Sequence, residues 1–179
     1  MSSNFYLMIL KGLKRNALKR IIEAQLTNRN VQQVSQIKSI AILVESEFLD
    51  EIPNFKKFSK EIGVGVEDFH IIEYQSNNKE SGSLHSKVWY TDKAFTYKGL
   101  LIEEDLKKRV DHSYDLLINF YNTDILELNY IASLSKAKFK IGFSEVDSRI
   151  NDLSIGTSIN EVTIFIEELK KYLKILQLI

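Results

Sequence analysis

The stretches "KSIAILVE" (38–45) and "YDLLINFY" (114–121) decide the fold of this chain. Each carries an almost continuous apolar run of strand length, which is typical of a parallel strand buried on both faces. Two further strands are predicted at "DFHIIEY" (68–74) and "FKIGF" (139–143). Helical patterns separate the strands, and strands that alternate with helices favour βαβ units. The sequence therefore predicts an α/β fold: a three-layer sandwich with a mostly parallel sheet of about five strands, Rossmann-like or flavodoxin-like.

The connecting segments agree with this architecture. Residues 52–63, 101–111, 124–137 and 159–176 carry the patterns of helices. Residues 86–99 hold two short aromatic runs, which predict either a hairpin or a strand followed by a turn.

The N-terminal part of the chain differs from the rest in charge. Residues 1–38 hold seven lysines and arginines against one glutamate, for a net charge of +6, whereas residues 39–179 carry −6. An apolar stripe beside basic residues at four-residue spacing predicts a basic amphipathic helix over residues 5–26. We therefore divide the chain into a helix with its linker (1–37) and a single α/β domain (38–179). The stripe consists of Leu10, Leu13, Ala17, Ile21 and Ala24, and the candidate partner-binding residues are Lys11, Lys14, Arg15, Lys19 and Arg20.

Composition narrows the possible functions. The chain contains no cysteine, which excludes disulfides and thiolate chemistry and favours a cytoplasmic, and at most membrane-peripheral, location. Its apolar start, "FYLMIL", is too short for a transmembrane segment or a signal peptide. Formal neutrality gives no reason to expect nucleic-acid binding. No phosphate-binding glycine loop is present and the three histidines lack metal-ligand spacing, so we expect neither a cofactor nor a metal site.

Polar loops follow the predicted strands and would meet at one edge of the sheet. In open parallel sheets, ligands bind outside the carboxyl ends of the strands. This rim includes Glu45, and the ligand-binding candidates on it are mostly acidic, which suits a cation, an amine or a basic partner surface better than a phosphate. The alternative is a solvated collar of loops in which Arg149 pairs with Asp147 or Asp152. The candidates are Asn122, Asp124, Glu145, Asp147 and Arg149.

The segment "KAKFKIGF" (136–143) alternates lysines with large apolar side chains. Such alternation is typical of a strand that is covered on one side only. Lysines on an edge strand discourage pairing with a second molecule, because their charge would have to be desolvated. We therefore expect this strand at an edge of the sheet.

The segments "KAKFKIGF" and "DSRINDL" lie within residues 132–156, where the chain resembles a family of small bacterial proteins known only as a domain of unknown function. The resemblance runs from about residue 38 to the end and includes a shorter basic N-terminal segment. It implies no activity and no site residues. A much weaker resemblance, through "YDLLIN" and "AKFKIGF", is to the N-terminal half of heptosyltransferase-type glycosyltransferases. This chain lacks their nucleotide-sugar-binding second half.

Two functions follow from these observations. The first is a non-catalytic interaction or adaptor module, whose basic N-terminal helix docks on a protein partner or an anionic membrane surface. The alternative is a small-molecule-binding or enzymatic Rossmann-like domain of the nucleotide or sugar-phosphate class, which uses the rim. The apolar stripe of the helix packs on its own domain or is available to a partner, and the sequence leaves both open.

Overall fold

The computed structural model describes residues 3–29, 32–76 and 88–179 and shows six strands and five α-helices within these ranges. The extended segments alternate with helices as predicted. In chain order the elements are α1 (Ser3–Thr27), β1 (Ile40–Glu45), α2 (Ile52–Glu61), β2 (Phe69–Tyr74), β3 (Val88–Tyr90), α3 (Glu104–Asp111), β4 (Leu116–Phe120), α4 (Leu126–Leu134), β5 (Phe139–Phe143), β6 (Leu153–Ile155) and α5 (Val162–Ile175).

The strands form one parallel sheet in the order β3-β2-β1-β4-β5-β6. This is the order of dinucleotide-binding Rossmann folds, whose direction of winding reverses between β1 and β4. The predicted α/β class is therefore confirmed, and the order is Rossmann-like rather than flavodoxin-like. The sheet has six strands instead of about five because β6, with three residues, is too short to show a period. Of residues 86–99, the first two lie outside the described ranges; in the remainder the strand-and-turn alternative is correct, with β3 followed by a 3₁₀ turn at Asp92–Ala94.

Helices cover both faces of the sheet, as the almost continuous apolar runs of β1 and β4 require. Ile40, Ile42 and Val44 of β1 face the layer that contains α2 and α5. Ala41 and Leu43 face the layer that contains α1, α3 and α4. On the first face, four phenylalanine rings pack edge-to-face or tilted, with centroids 4.7–6.3 Å apart. These rings belong to Phe55, Phe120, Phe143 and Phe165.

The predicted edge position of the "KAKFKIGF" strand is wrong. β5 lies between β4 and β6, and Lys140 is buried. Its ammonium group donates a hydrogen bond of 2.6 Å to the carbonyl of Ala132, near the end of α4. The amide of Lys136, the usual partner of that carbonyl in a helix, donates to Val110 instead. Lys140 therefore supplies the donor that this end of α4 lacks, which is why a lysine is tolerated inside the sheet.

Candidate functional sites

The N-terminal end of α1, called the apolar tip below, carries exposed apolar side chains. Five consecutive residues have exposed fractions of 43–63%, and Leu13 is similarly exposed. With 3.6 residues per turn, five consecutive positions point around the whole circumference of the helix. The apolar surface is therefore a tip that is exposed on every side and not a single stripe. The five residues are Phe5, Tyr6, Leu7, Met8 and Ile9.

Basic residues follow this tip along α1. Lys11, Arg15, Lys19 and Arg20 are exposed, and none of them forms an ion pair with any residue in the described ranges. Lys14 differs, because its ammonium group donates to the backbone carbonyl of Asp92 at 2.7 Å and pairs with that residue's carboxylate at 3.1 Å. Four of the five predicted partner-binding residues thus remain available, and Lys14 fastens the helix to its own domain.

The C-terminal half of α1 packs against the body of the protein. Leu18 and Ile22 belong to the core formed with α4. Gly99, in a loop that contacts this part of the helix, has a φ of +78°, and a Cβ placed on it would lie 3.2 Å from the Cβ of Ala17. Only glycine allows this close approach at low cost. The predicted stripe is therefore partly wrong, because Ala24 is exposed and the buried face includes Leu18 and Ile22.

Two arginines join the end of α1 to the loop between β5 and β6. Arg29 donates to the carbonyl of Ile150 at 2.9 Å and to the carboxylate of Asp152 at 2.5 Å. Arg149 of the loop donates to both carboxylate oxygens of Glu23 on α1, at 2.8 and 2.9 Å. The helix is therefore held from its middle to its C-terminal end, whereas the side chains of its N-terminal tip are exposed.

The rim residues predicted from the sequence are only partly brought together. Arg149 pairs with Asp147 at 2.6 Å and keeps the pKa of that carboxyl below its usual range. Asp124 accepts a hydrogen bond from the side chain of Asn129, and Glu145 accepts one from Ser144 at 3.2 Å. Among the described residues, no hydrogen bond or ion pair connects Asn122, Asp124 or Glu145 to the arginine. Ligand binding by the rim stays a prediction.

A buried carboxylate at the carboxyl end of β2 was not found from the sequence. The side chain of Glu73 is 1% exposed, and its Oε1 accepts hydrogen bonds from Ser46 at 3.0 Å and from Gln75 at 2.9 Å. Its Oε2 is buried and has no hydrogen-bond partner. A carboxylate with a buried, unsatisfied oxygen is costly, so Oε2 of Glu73 calls for a donor beyond those that the described residues supply. The available signal was the acid at the end of the apolar run "FHIIEY".

Glu45, at the end of β1, lies beside this site. It is paired in register with Tyr74 of β2, and the two share the opposite face of the sheet from Glu73. Burial raises the pKa of the Glu45 carboxyl, although a hydrogen bond from Ser76 opposes the effect. Burial and the nearby carboxylates of Glu127, Asp92 and Glu45 raise the pKa of the Tyr74 hydroxyl. The carboxyl ends of β1 and β2 therefore present hydrogen-bonding groups at both faces of the sheet.

Neither a metal-ligand cluster nor a membrane-spanning helix is present among the described residues. Within them, no group of three or more His, Asp or Glu side chains is arranged to hold a metal ion. No helix in these same ranges combines the length and apolar character needed to cross a bilayer.

Comparison with known proteins places the chain by its family. No curated protein and no solved structure matches it. The weaker likeness to heptosyltransferase-type glycosyltransferases therefore stays a prediction. One family model, described as a family of unknown function (DUF6913), matches residues 14–176, from the middle of α1 to the end of α5. Since this match covers most of the chain and confirms the resemblance seen at residues 132–156, the protein belongs to the DUF6913 family of unknown function.

Proposed function

We propose that this protein is a non-catalytic interaction module that docks on an anionic membrane surface through the N-terminal end of α1. The observation that carries the proposal is the apolar tip, exposed on every side and followed by four basic residues that pair with no acidic group in the described ranges. Lys11 and Arg15 stand directly behind the tip, and Lys19 and Arg20 follow one turn later. We place the protein in the cytoplasm, at the membrane periphery, in keeping with a chain that contains no cysteine.

The shape of the tip favours a bilayer over a protein groove. A groove covers one face of a helix, whereas acyl chains surround an inserted helix end on all sides. Residues 5–9 rise on the order of 8 Å along the helix axis, so end-on insertion would take the tip to a depth similar to the roughly 5–10 Å at which in-plane interfacial helices bury their apolar face. Basic residues at the headgroup level each contribute about 1 kcal/mol at an anionic surface. The basic residues that start at Lys11 fit that level.

Vesicle sedimentation tests this proposal. Wild-type protein should sediment with vesicles of phosphatidylserine and phosphatidylcholine at low salt, and less of it should sediment as salt screens the basic residues. The double variant Leu7→Ser, Met8→Ser should lose most of the binding without losing thermal stability, because both side chains are exposed. The matched control replaces two exposed apolar residues of the body, Val66→Ser and Ile175→Ser, and should bind as wild type does.

The outcomes separate the two possible partners. If wild-type protein does not sediment at low salt, the membrane proposal fails and an acidic protein partner takes its place. If the tip variant and the body control lose binding equally, then general surface hydrophobicity and not the tip causes the sedimentation.

The buried Glu73 favours a second candidate, a ligand-binding Rossmann-like domain of the nucleotide or sugar-phosphate class. In sheets of this order, an acidic residue at the end of the second strand binds ribose hydroxyls. The unpaired Oε2 of Glu73 could accept a hydrogen bond from such a hydroxyl. A thermal-shift screen of nucleotides and sugar phosphates tests this, since a ligand at 100 times its dissociation constant stabilises by about 2.7 kcal/mol.

A pair of glutamine variants gives that screen its control. Glu73→Gln should abolish any ligand-induced shift, whereas Glu47→Gln, at an exposed position just after β1, should retain it. A screen without any shift, or equal loss in both variants, argues against this second function.

A further inference from the structure

A cavity of about 380 Å³ lies at the amino end of β2, at the opposite end of that strand from Glu73. Phe69 and His70, in the first half of β2, contribute to its lining. Helix α2 lies on one face of the sheet beside this part of the strand, and α3 lies on the other face. The cavity is lined by side chains from all three elements, and its volume is in the range of small-molecule sites.

The lining of this cavity is predominantly cationic. Lys56 and Lys60 come from α2 and Arg109 comes from α3, and Glu67 is the one carboxylate among the lining residues. None of the three cations forms an ion pair with a residue of the described ranges. By contrast, the neighbouring Lys108 on α3 is neutralised by Asp105 at 3.1 Å. Unpaired cations that converge on a concave surface create a field that favours an anion.

Arg109 and His70 form a prearranged pair of donors. The guanidinium of Arg109 donates a hydrogen bond of 2.7 Å to Nδ1 of His70. Because Nδ1 accepts, the neutral ring carries its hydrogen on Nε2, which is then able to donate. Behind them, the rings of His112 and Tyr114 pack at 4.5 Å, and the hydroxyl of Tyr114 also lies beside the guanidinium of Arg109. Arg109 has five N–H donors in a planar fork, so its contacts with the histidine and this hydroxyl leave other donors for a ligand.

We propose that this cavity binds a small soluble phosphate monoester. The fork of Arg109 matches two phosphate oxygens, and Lys56 and Lys60 balance the remaining charge. Val66 and Phe69 form the apolar part of the lining, where the organic part of the ester would lie. This site differs in position and chemistry from both the tip of α1 and the carboxylate of Glu73, so it does not depend on the proposed function.

Isothermal titration calorimetry with inorganic phosphate and with phenyl phosphate tests the proposal. Both should bind, and phenyl phosphate should bind several-fold more tightly because its ring gains apolar contacts. Arg109→Gln should weaken the binding of phenyl phosphate at least about tenfold, and Arg109→Lys should also weaken it because the fork is lost. Lys60→Gln should weaken it several-fold, and Lys57→Gln is the matched control because Lys57 lies on the same helix but does not line the cavity.

Two further variants give results that a merely structural role would not produce. Glu67→Gln should tighten phosphate binding several-fold, because it removes the carboxylate that repels the anion. Glu73→Gln should leave phosphate binding unchanged, which separates this site from the second candidate function. The proposal is overturned if neither phosphate binds wild-type protein at millimolar concentration. It is equally overturned if Lys57→Gln weakens binding as much as Lys60→Gln does, or if Glu67→Gln has no effect.

Discussion

Lys140 makes the stability of this protein depend on pH. Burial lowers the pKa of its ammonium group from 10.5 to about 7, Arg29 adds to the effect, and Asp152 opposes it. The unfolded chain therefore keeps this proton up to about pH 10.5, whereas the folded chain loses it above about pH 7. The unfolded state therefore binds more protons throughout this interval. As a result, the contribution of Lys140 to the free energy of unfolding falls as the pH falls from 10.5 to 7, and it does not change with pH below pH 7.

The magnitude follows from about 1.36 kcal/mol per pH unit in that window. Between pH 7.5 and 9.5, the contribution of Lys140 should raise the free energy of unfolding by about 2–3 kcal/mol. Lys140→Met removes the titrating group and leaves the Ala132 carbonyl without its donor, which costs about 1–3 kcal/mol at the upper pH. The amount by which the free energy of unfolding of wild type exceeds that of the variant should therefore grow with pH. This difference should be smallest near pH 7.

Urea denaturation at pH 7.5, 8.5 and 9.5 measures this difference, and comparing the two proteins cancels titrations that they share. Lys138→Met is the matched control, because Lys138 lies two residues earlier, is half-buried and pairs with Asp115 at 2.7 Å. Its difference from wild type should not follow the same slope. If the Lys140→Met difference stays constant over the two pH units, then this lysine is charged in the folded state and the reasoning fails.

Three other predictions concern the core, the contact between α1 and the loop of Gly99, and the anion site. Leu117→Ala in β4 should lower the free energy of unfolding by about 2–5 kcal/mol, and a trivial shift of the urea midpoint would contradict burial on both faces of the sheet. Gly99→Ala should cost about 1–3 kcal/mol, since its φ of +78° and the contact with Ala17 both disfavour a side chain, and melting curves measure it. Sulfate, which does not titrate near neutrality, should bind the cavity with the same affinity at pH 7 and at pH 8. Burial, Arg109 and His112 lower the pKa of His70 from its usual 6.5, with Asp68 and Glu67 opposing them, so the neutral ring that accepts from Arg109 persists over this range. A change of sulfate affinity between these two pH values, measured by calorimetry, would contradict a neutral His70.

The fold was predictable because the two strands that decide it, β1 and β4, are almost entirely apolar. β1 and β4 are covered on both faces, so nearly every position is apolar, apart from Glu45 and Asn119, and the run is visible in the sequence. The position of β5 was not predictable, since alternating lysines normally mark a solvent-facing side. The carbonyl of Ala132, which makes a buried lysine possible, is eight residues away. It is available to Lys140 because, at the end of α4, the amide of Lys136 donates to the carbonyl of Val110 instead. The error is therefore one of tertiary hydrogen bonding and not of secondary structure.

The candidate sites were predictable to different degrees. The apolar tip is plain in the sequence as "FYLMIL", but a helical wheel cannot show where the helix leaves its domain, so the stripe included Ala24 and missed Leu18. The anion site has no sequence signal, because His70 and Arg109 are 39 residues apart and meet only across β2 and α3. Glu73 was overlooked for a similar reason, since its environment depends on Ser46 of the neighbouring loop.

The way in which α1 is held bears on what docking would do. Arg29 and Arg149 fix its end to the loop between β5 and β6, Gly99 seats its middle, and Lys14 ties it to Asp92. A helix fixed at these points transmits the orientation of its tip to the whole sheet. Residues 39–179 carry a net charge of −6, so an anionic surface attracts the helix and repels the body behind it. Insertion of the tip would therefore hold the protein away from the membrane surface, with the remaining faces of the domain accessible to other molecules.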